Sequence, residues 1–157
     1  MKYRTGIGQD SHRFKEEGGT CVIGGVPILG VPGMEANSDG DVALHAICNA
    51  ISSITHVPIL GGIANDLCRE GHTDSRVYLD HALKTLPPWT IEHIALTVEG
   101  GRPRMQKHAD AIRTQIAAYC AINLDQVGLT VTSGDNLTEF ASGIGLQCFA
   151  ILTVYRS

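Results

Sequence analysis

The stretch QDSHRF, residues 9–14, sets a carboxylate, Asp10, two positions from an imidazole, His12. Side chains at i and i+2 of an extended segment point the same way, so both can reach one point while Ser11 faces away. A third donor, His45, lies in NSDGDVALHAICNA, residues 37–50. Two imidazoles and a carboxylate leave one tetrahedral position open on Zn²⁺, which is the ligand pattern of a reactive rather than a structural zinc. The same residues also fit a plainer reading, two solvated loop residues and a surface helical histidine. Spacing alone does not separate the two.

For the three to meet, a strand and a helix must bring them together. Residues 3–12 read as a strand running into a loop. CVIGGVPIL, residues 21–29, is two short apolar runs about a glycine pair, a hairpin signal. Residues 30–40 are loop by composition. Ser38 followed by Asp41 resembles a capping box. The helix it opens carries an apolar stripe of Ala43, Ile47, Ala50, Ile51 and Ile54, which puts His45, Asn49, Ser52 and His56 on the opposite, polar side. Pro58 and the pair Gly61–Gly62 end it.

Residues 57–74 read as a mobile loop, and a second helix is expected over SRVYLDHALKTL before Pro87. IEHIALTVEG, residues 91–100, reads as a strand, residues 103–122 as a helix, and VGLTVTSG and LQCFAILTV as two closing strands. The expected fold is a single α+β domain over residues 1–157, a mixed β-sheet with helices packed on one face. LQCFAILTV is apolar on both of its alternating faces, so the other face of the sheet should be buried against further subunits.

The bulk numbers fit one compact globular domain. Of the 157 residues 43% are hydrophobic and 18% charged, and only 5% are aromatic, so Ile, Val, Leu and Ala must build the core. A net charge of −4 argues against a nucleic-acid surface. No apolar run approaches the ~20 residues of a membrane span. MKYRTGIGQD reads as neither a signal nor a transit peptide, so a cytoplasmic protein is expected. Five cysteines without a CxxC pair fit reduced, packed thiols.

DSHRF, VIGGVPI and above all SDGDVALHA resemble the signature blocks of the 2-C-methyl-D-erythritol 2,4-cyclodiphosphate synthase family, with TDSR at 73–76, RPRM at 102–105 and VTSGD at 131–135 as looser blocks. The resemblance implies a homotrimer with active sites between neighbouring subunits. It implies a divalent metal, usually zinc, on Asp10, His12 and His45, and a second ion, Mg²⁺ or Mn²⁺, on Asp135. The implied reaction converts a cytidine-diphosphate ester of methylerythritol 2-phosphate into a cyclic diphosphate and releases CMP, within non-mevalonate isoprenoid synthesis. Asp10, His12, Asn37, Ser38 and Asp39 would face the phosphates, the last two through backbone amides at a helix N-terminus. Gly100, Gly101, Arg102, Pro103, Arg104 and Met105 of the adjacent subunit, with Thr132, would hold the cytidine, and Ser133 would stabilise the reacting phosphates. Residues 57–74 would form a lid.

The chain departs from the family pattern in places. Asn37 stands where a histidine is usual, Asp135 where a glutamate is, Pro58 where an aspartate is, Ser142 where an arginine is, and Glu139 where a phenylalanine is. An amide at 37 can bond phosphate but brings no charge. His56, His72, His81, His93 and His108 are expected to play solvated or capping roles. Two other readings use the same residues: a zinc-dependent phosphohydrolase, and a non-catalytic trimer that binds a nucleotide or an isoprenoid.

Overall fold

The computed structural model describes residues 1–157. Strands β1 (Lys2–Arg13), β4 (Thr90–Glu99), β5 (Val127–Thr132) and β6 (Gly145–Arg156) form one sheet in the order β1-β6-β4-β5. The short pair β2 (Cys21–Ile23) and β3 (Val26–Ile28) forms a separate hairpin. β6 runs antiparallel to both neighbours, while β4 and β5 are parallel, so the sheet is mixed as expected. The helices are α1 (Val42–Thr55), α2 (Gly62–Arg69), α3 (Ser75–Leu83) and α4 (Ala109–Cys120).

One face of the sheet makes the core. Ile94, Leu96, Val98, Leu146, Cys148, Ala150, Leu152 and Val154 are buried beneath the helices. In β1 that face carries Gly6 and Gly8, and a Cβ on either would collide with the backbone of α1, at Ala50 and Ala46 respectively. The glycines therefore let helix and strand touch at backbone distance. Asp10 and His12 continue the same face of β1, just beyond the point where α1 rests on it.

The opposite face is uncovered. Ile7, Phe149 and Ile151 are 60%, 41% and 44% exposed, and Ile7 pairs directly with Ile151 across the β1–β6 ladder. The double-sided apolar pattern of the last strand is thus present in three dimensions.

Four boundaries differ from expectation. Residues 57–74 are not all loop: Gly61, at φ +94°, precedes α2, and Gly62 opens it. The glycine pair that reads as a helix breaker is a helix entrance, and Asp66 and Arg69 pair one turn apart at 2.7 Å. The helix expected over 103–122 starts as a 3-10 turn over Met105–His108 before α4 begins. α3 stops at Leu83, short of residue 86. Finally, the cap of α1 is Asp41 and not Ser38. Gly40, at φ +70°, breaks the helical path between them, and the Asp39 amide is already bonded to the Thr73 carbonyl at 2.8 Å.

Candidate metal centre

Asp41 fixes the start of α1. Its fully buried carboxylate accepts N–H bonds from Ala43 and Leu44 at 3.1 and 3.0 Å, and from Gly24 and Gly25 in the β2–β3 turn at 2.8 and 2.7 Å. From this anchor His45 lies one turn into the helix. It is only 6% exposed, against the expectation of a solvated polar face, because the side of α1 away from the sheet is covered by α3. The ring of Tyr78 lies 6.0 Å away, centre to centre.

The three predicted ligands converge. Asp10 Oδ2 lies 3.1 Å from His12 Nε2 and 3.1 Å from His45 Nδ1, and one donor atom from each residue falls within 4.8 Å of the others. A tetrahedral ion with arms of about 2.0 Å sets its ligand atoms about 3.3 Å apart. His12 Nε2 is also a buried nitrogen without a hydrogen-bond partner, despite its closeness to Asp10. A buried, unpartnered nitrogen beside the carboxylate oxygen fits a pair of metal ligands better than it fits a finished hydrogen-bond network. These donors suit Zn²⁺ or a similar divalent ion.

The electrostatics point the same way. Burial opposes ionisation of Asp10, but the neighbouring imidazoles of His12 and His45 outweigh that and hold the carboxyl below its ordinary value. Interaction with Asp10 holds His12 above the ordinary imidazole value, against the effect of burial. Protons therefore compete for His12 up to a higher pH than for a free imidazole, while Asp10 stays ionised. Divalent-ion affinity is expected to level off above the raised His12 value and to weaken about tenfold per pH unit below it. Titrating Co²⁺ into the protein across a pH series checks this, and an affinity flat through the imidazole range would contradict it. In the metal-free protein the signs are separate. The His12 contribution to stability is present below the ordinary imidazole value and fades as pH rises through the raised one. The Asp10 contribution is present above the ordinary carboxyl value and is lost as pH falls through the lowered one.

Around the triad lies a cavity of about 190 Å³ lined also by Asn37, Ser38, Leu60, Asn65, Cys68 and Tyr78. The 57–74 segment thus borders the site, but as helix α2. Gly100, Gly101, Pro103, Arg104, Met105, Thr132 and Ser133 line a second cavity of about 200 Å³ that shares no residue with the first. Three expected residues depart from this grouping. Arg102 lines neither cavity, donates from Nε to the Gly143 carbonyl at 2.8 Å and lies over the Phe14 ring. The Asp39 amide is engaged with Thr73, and its carboxylate turns to the Asp41 amide and to Ser75, so neither is free for a phosphate. Asp135, exposed and at φ +50°, lines neither cavity and reaches Ser133 Oγ at 3.5 Å.

The YgbB family profile matches residues 3–155. The chain belongs to the YgbB family. Among its relatives, the 2-C-methyl-D-erythritol 2,4-cyclodiphosphate synthase of Chlamydia felis (strain Fe/C-56) is 51% identical over 156 residues, covering 97% of this chain and 89% of that one. The protein of the same name from Chlamydia trachomatis serovar L2b is 49% identical, covering 97% and 88%. A solved 2C-methyl-D-erythritol-2,4-cyclodiphosphate synthase in a CDP-bound form superposes with a TM-score of 0.82 at 27% identity, over 97% of this chain and all of that one. For a YgbB chain, the Asp10–His12–His45 cluster and the SDGD turn are where shape and motif coincide.

Ser75 is a residue that the sequence does not single out for a role. It is fully buried at the start of α3, and its Oγ stands 2.7 Å from His45 Nε2. The other histidines are mostly unremarkable: His56 is the left-handed C-cap of α1, while His108 has a buried Nε2 without a partner. All five cysteines are free, and burial pushes the thiols of Cys21 and Cys120 up to about 12, which suits packing rather than nucleophilic chemistry. No helix is long and apolar enough to cross a membrane.

Proposed function

We propose that residues 1–157 act as one metal-dependent cyclodiphosphate synthase unit, a phosphorus–oxygen lyase that converts 4-diphosphocytidyl-2-C-methyl-D-erythritol 2-phosphate to 2-C-methyl-D-erythritol 2,4-cyclodiphosphate and CMP. The observation that carries this is the convergence of Asp10, His12 and His45 on one point in a chain of this family, beside Asn37 and Ser38.

A 2-phosphate oxygen attacks the β-phosphorus, the bond from that phosphorus to the bridging oxygen breaks, and CMP departs with the oxygen. Such a transition state asks for positioning and charge stabilisation more than for covalent help. Because nucleophile and electrophile share one molecule, a site that folds the substrate removes most of the entropic barrier. A divalent ion held by Asp10, His12 and His45 would supply Lewis-acid stabilisation of the phosphoryl charge. Ser38 Oγ accepts the Gly40 amide at 3.2 Å, which leaves its O–H free to donate to a phosphate oxygen. Asn37 can donate beside it, without the charge that a histidine would bring. Ser133 and Asp135 would serve the reacting phosphates, Asp135 by holding a second ion, Mg²⁺ or Mn²⁺.

The uncovered sheet face carrying Ile7, Phe149 and Ile151 supports a homotrimer. In it the cavity lined by Gly100, Gly101, Pro103, Arg104, Met105, Thr132 and Ser133 of one subunit would meet the metal cavity of its neighbour and receive the cytidine. A CDP-bound relative supports a nucleotide-diphosphate ligand. The absence of a membrane-length helix is consistent with a cytoplasmic setting. Incubation of the zinc-loaded protein with the cytidine substrate tests the reading. Equimolar CMP and cyclic diphosphate support it. Inorganic phosphate would point to a phosphohydrolase, and nucleotide binding without turnover to a non-catalytic trimer.

A further inference from the structure

We propose that Ser75 and Asp39 are positioning residues that lock His45 into one tautomer, with its proton on Nε2 and the Nδ1 lone pair aimed at the metal point; the inference rests on the metal-site reading above. The argument is a count of hydrogens. Ser75 Oγ carries one proton and lies between two partners, Asp39 Oδ1 in a short contact and His45 Nε2 at 2.7 Å. An ionised carboxylate only accepts, so the serine proton goes to Asp39. The Ser75 oxygen must then accept from His45, and the ring proton sits on Nε2. Asp39 is held for this by two backbone amides, from Ser75 to Oδ2 and from Asp41 to Oδ1, both at 3.1 Å. The alternative partner for Nε2, Ser38 Oγ, is at 3.5 Å and already accepts the Gly40 amide at 3.2 Å.

The consequence falls on the other ring nitrogen. His45 Nδ1 without a proton faces Asp10 Oδ2 at 3.1 Å, lone pair toward lone pair. That contact is repulsive in an empty site and becomes favourable when a cation lies between the two atoms. The relay therefore prepares the site for a metal rather than for an Asp–His hydrogen bond. It also ties the metal point to the α3 N-terminus, since Asp39, Thr73 and Ser75 are joined by main-chain and side-chain bonds.

The test uses two readouts that do not depend on turnover. Nitrogen-15 NMR of the metal-free, full-length protein at alkaline pH should show His45 as the Nε2–H form. Ser75→Ala should lose that preference and weaken Co²⁺ and Zn²⁺ binding, measured by chelator competition, by about 10- to 100-fold, the usual effect of removing a hydrogen-bond partner of a metal ligand. A His45 that is Nδ1–H in the wild type overturns the proposal without recourse to any variant. So does a Ser75→Ala protein with unchanged tautomer and unchanged affinity. A wild-type protein that binds neither ion overturns the metal reading itself and this proposal with it, which keeps the two failures distinct.

Discussion

Replacing His45 by alanine should lower turnover by at least about three orders of magnitude, with the size-exclusion profile of the wild type retained. The ring supplies one of only three protein donors at the site, and the two that remain come from the same strand two residues apart. A pair of ligands on one strand holds an ion from one side and gives it no fixed orientation toward a phosphate. Losing the charge stabilisation of a bound divalent ion amounts to several kcal/mol at the transition state, and about 4 kcal/mol corresponds to a thousandfold in rate. The fold should survive, because the α1 cap at Asp41 and the apolar stripe from Ile47 to Ile54 do not involve the imidazole. Bound zinc per subunit, measured alongside kcat, makes the result interpretable. Loss of zinc and of turnover together is the expected outcome. A variant that keeps full turnover would remove His45 from the metal role, whatever its zinc content. Asp10→Asn gives an independent check, since the neutral amide removes the negative charge that both imidazoles face.

The contrast between His45 and its partners shows what a sequence can carry. Asp10 and His12 obey a two-residue strand period, and their shared direction follows from local geometry alone. The apolar stripe of α1 is likewise local, and it places His45 on the side away from the sheet. Burial of that side is not local: it depends on α3, whose first residue lies 30 positions beyond His45, folding over α1. Ser75 and Asp39 were opaque for the same reason, being 36 residues apart in sequence and joined only by tertiary structure. In α2 the difficulty was a different one. A glycine pair weakens a helix wherever it falls inside one, yet at an N-terminus the positive φ of Gly61 and the open space around Gly62 cost little. The pattern of residue types was the same in both cases, and only position relative to the helix end decided its meaning. At Asp135, one position where this chain departs from the family pattern, the structure leaves the residue exposed on a 3-10 turn, outside both cavities.

Asp41→Ala should destabilise the fold by several kcal/mol, a large share of what a domain of this size tolerates. The Asp41 carboxylate is fully buried and accepts four backbone N–H bonds, two from the first turn of α1 and two from the β2–β3 turn. Removing an N-cap alone costs about 1 kcal/mol. Here the two hairpin amides lose their acceptor as well, and each buried donor left unpaired costs about 1–3 kcal/mol. The sum is about 3–7 kcal/mol, set against a typical total of about 5–15 kcal/mol. A fall in Tm of about 10 °C or more is expected for a chain of this length. Asp41→Asn separates the charge and acceptor roles from shape. The amide fills the same space but turns one acceptor into a donor, which must face either the Gly25 N–H or the three N–H groups at Oδ1. It should cost about half as much, because the better orientation loses only the Gly25 bond. Thermal unfolding of both variants, in metal-free and zinc-loaded protein, tests this ordering. The same carboxylate that starts α1 also sets the height of His45 above β1, so both variants should weaken zinc binding in the order in which they destabilise the fold. Equal Tm values for wild type and Asp41→Ala would show that the four amides find other partners, and that the hairpin and helix are joined by something other than this side chain.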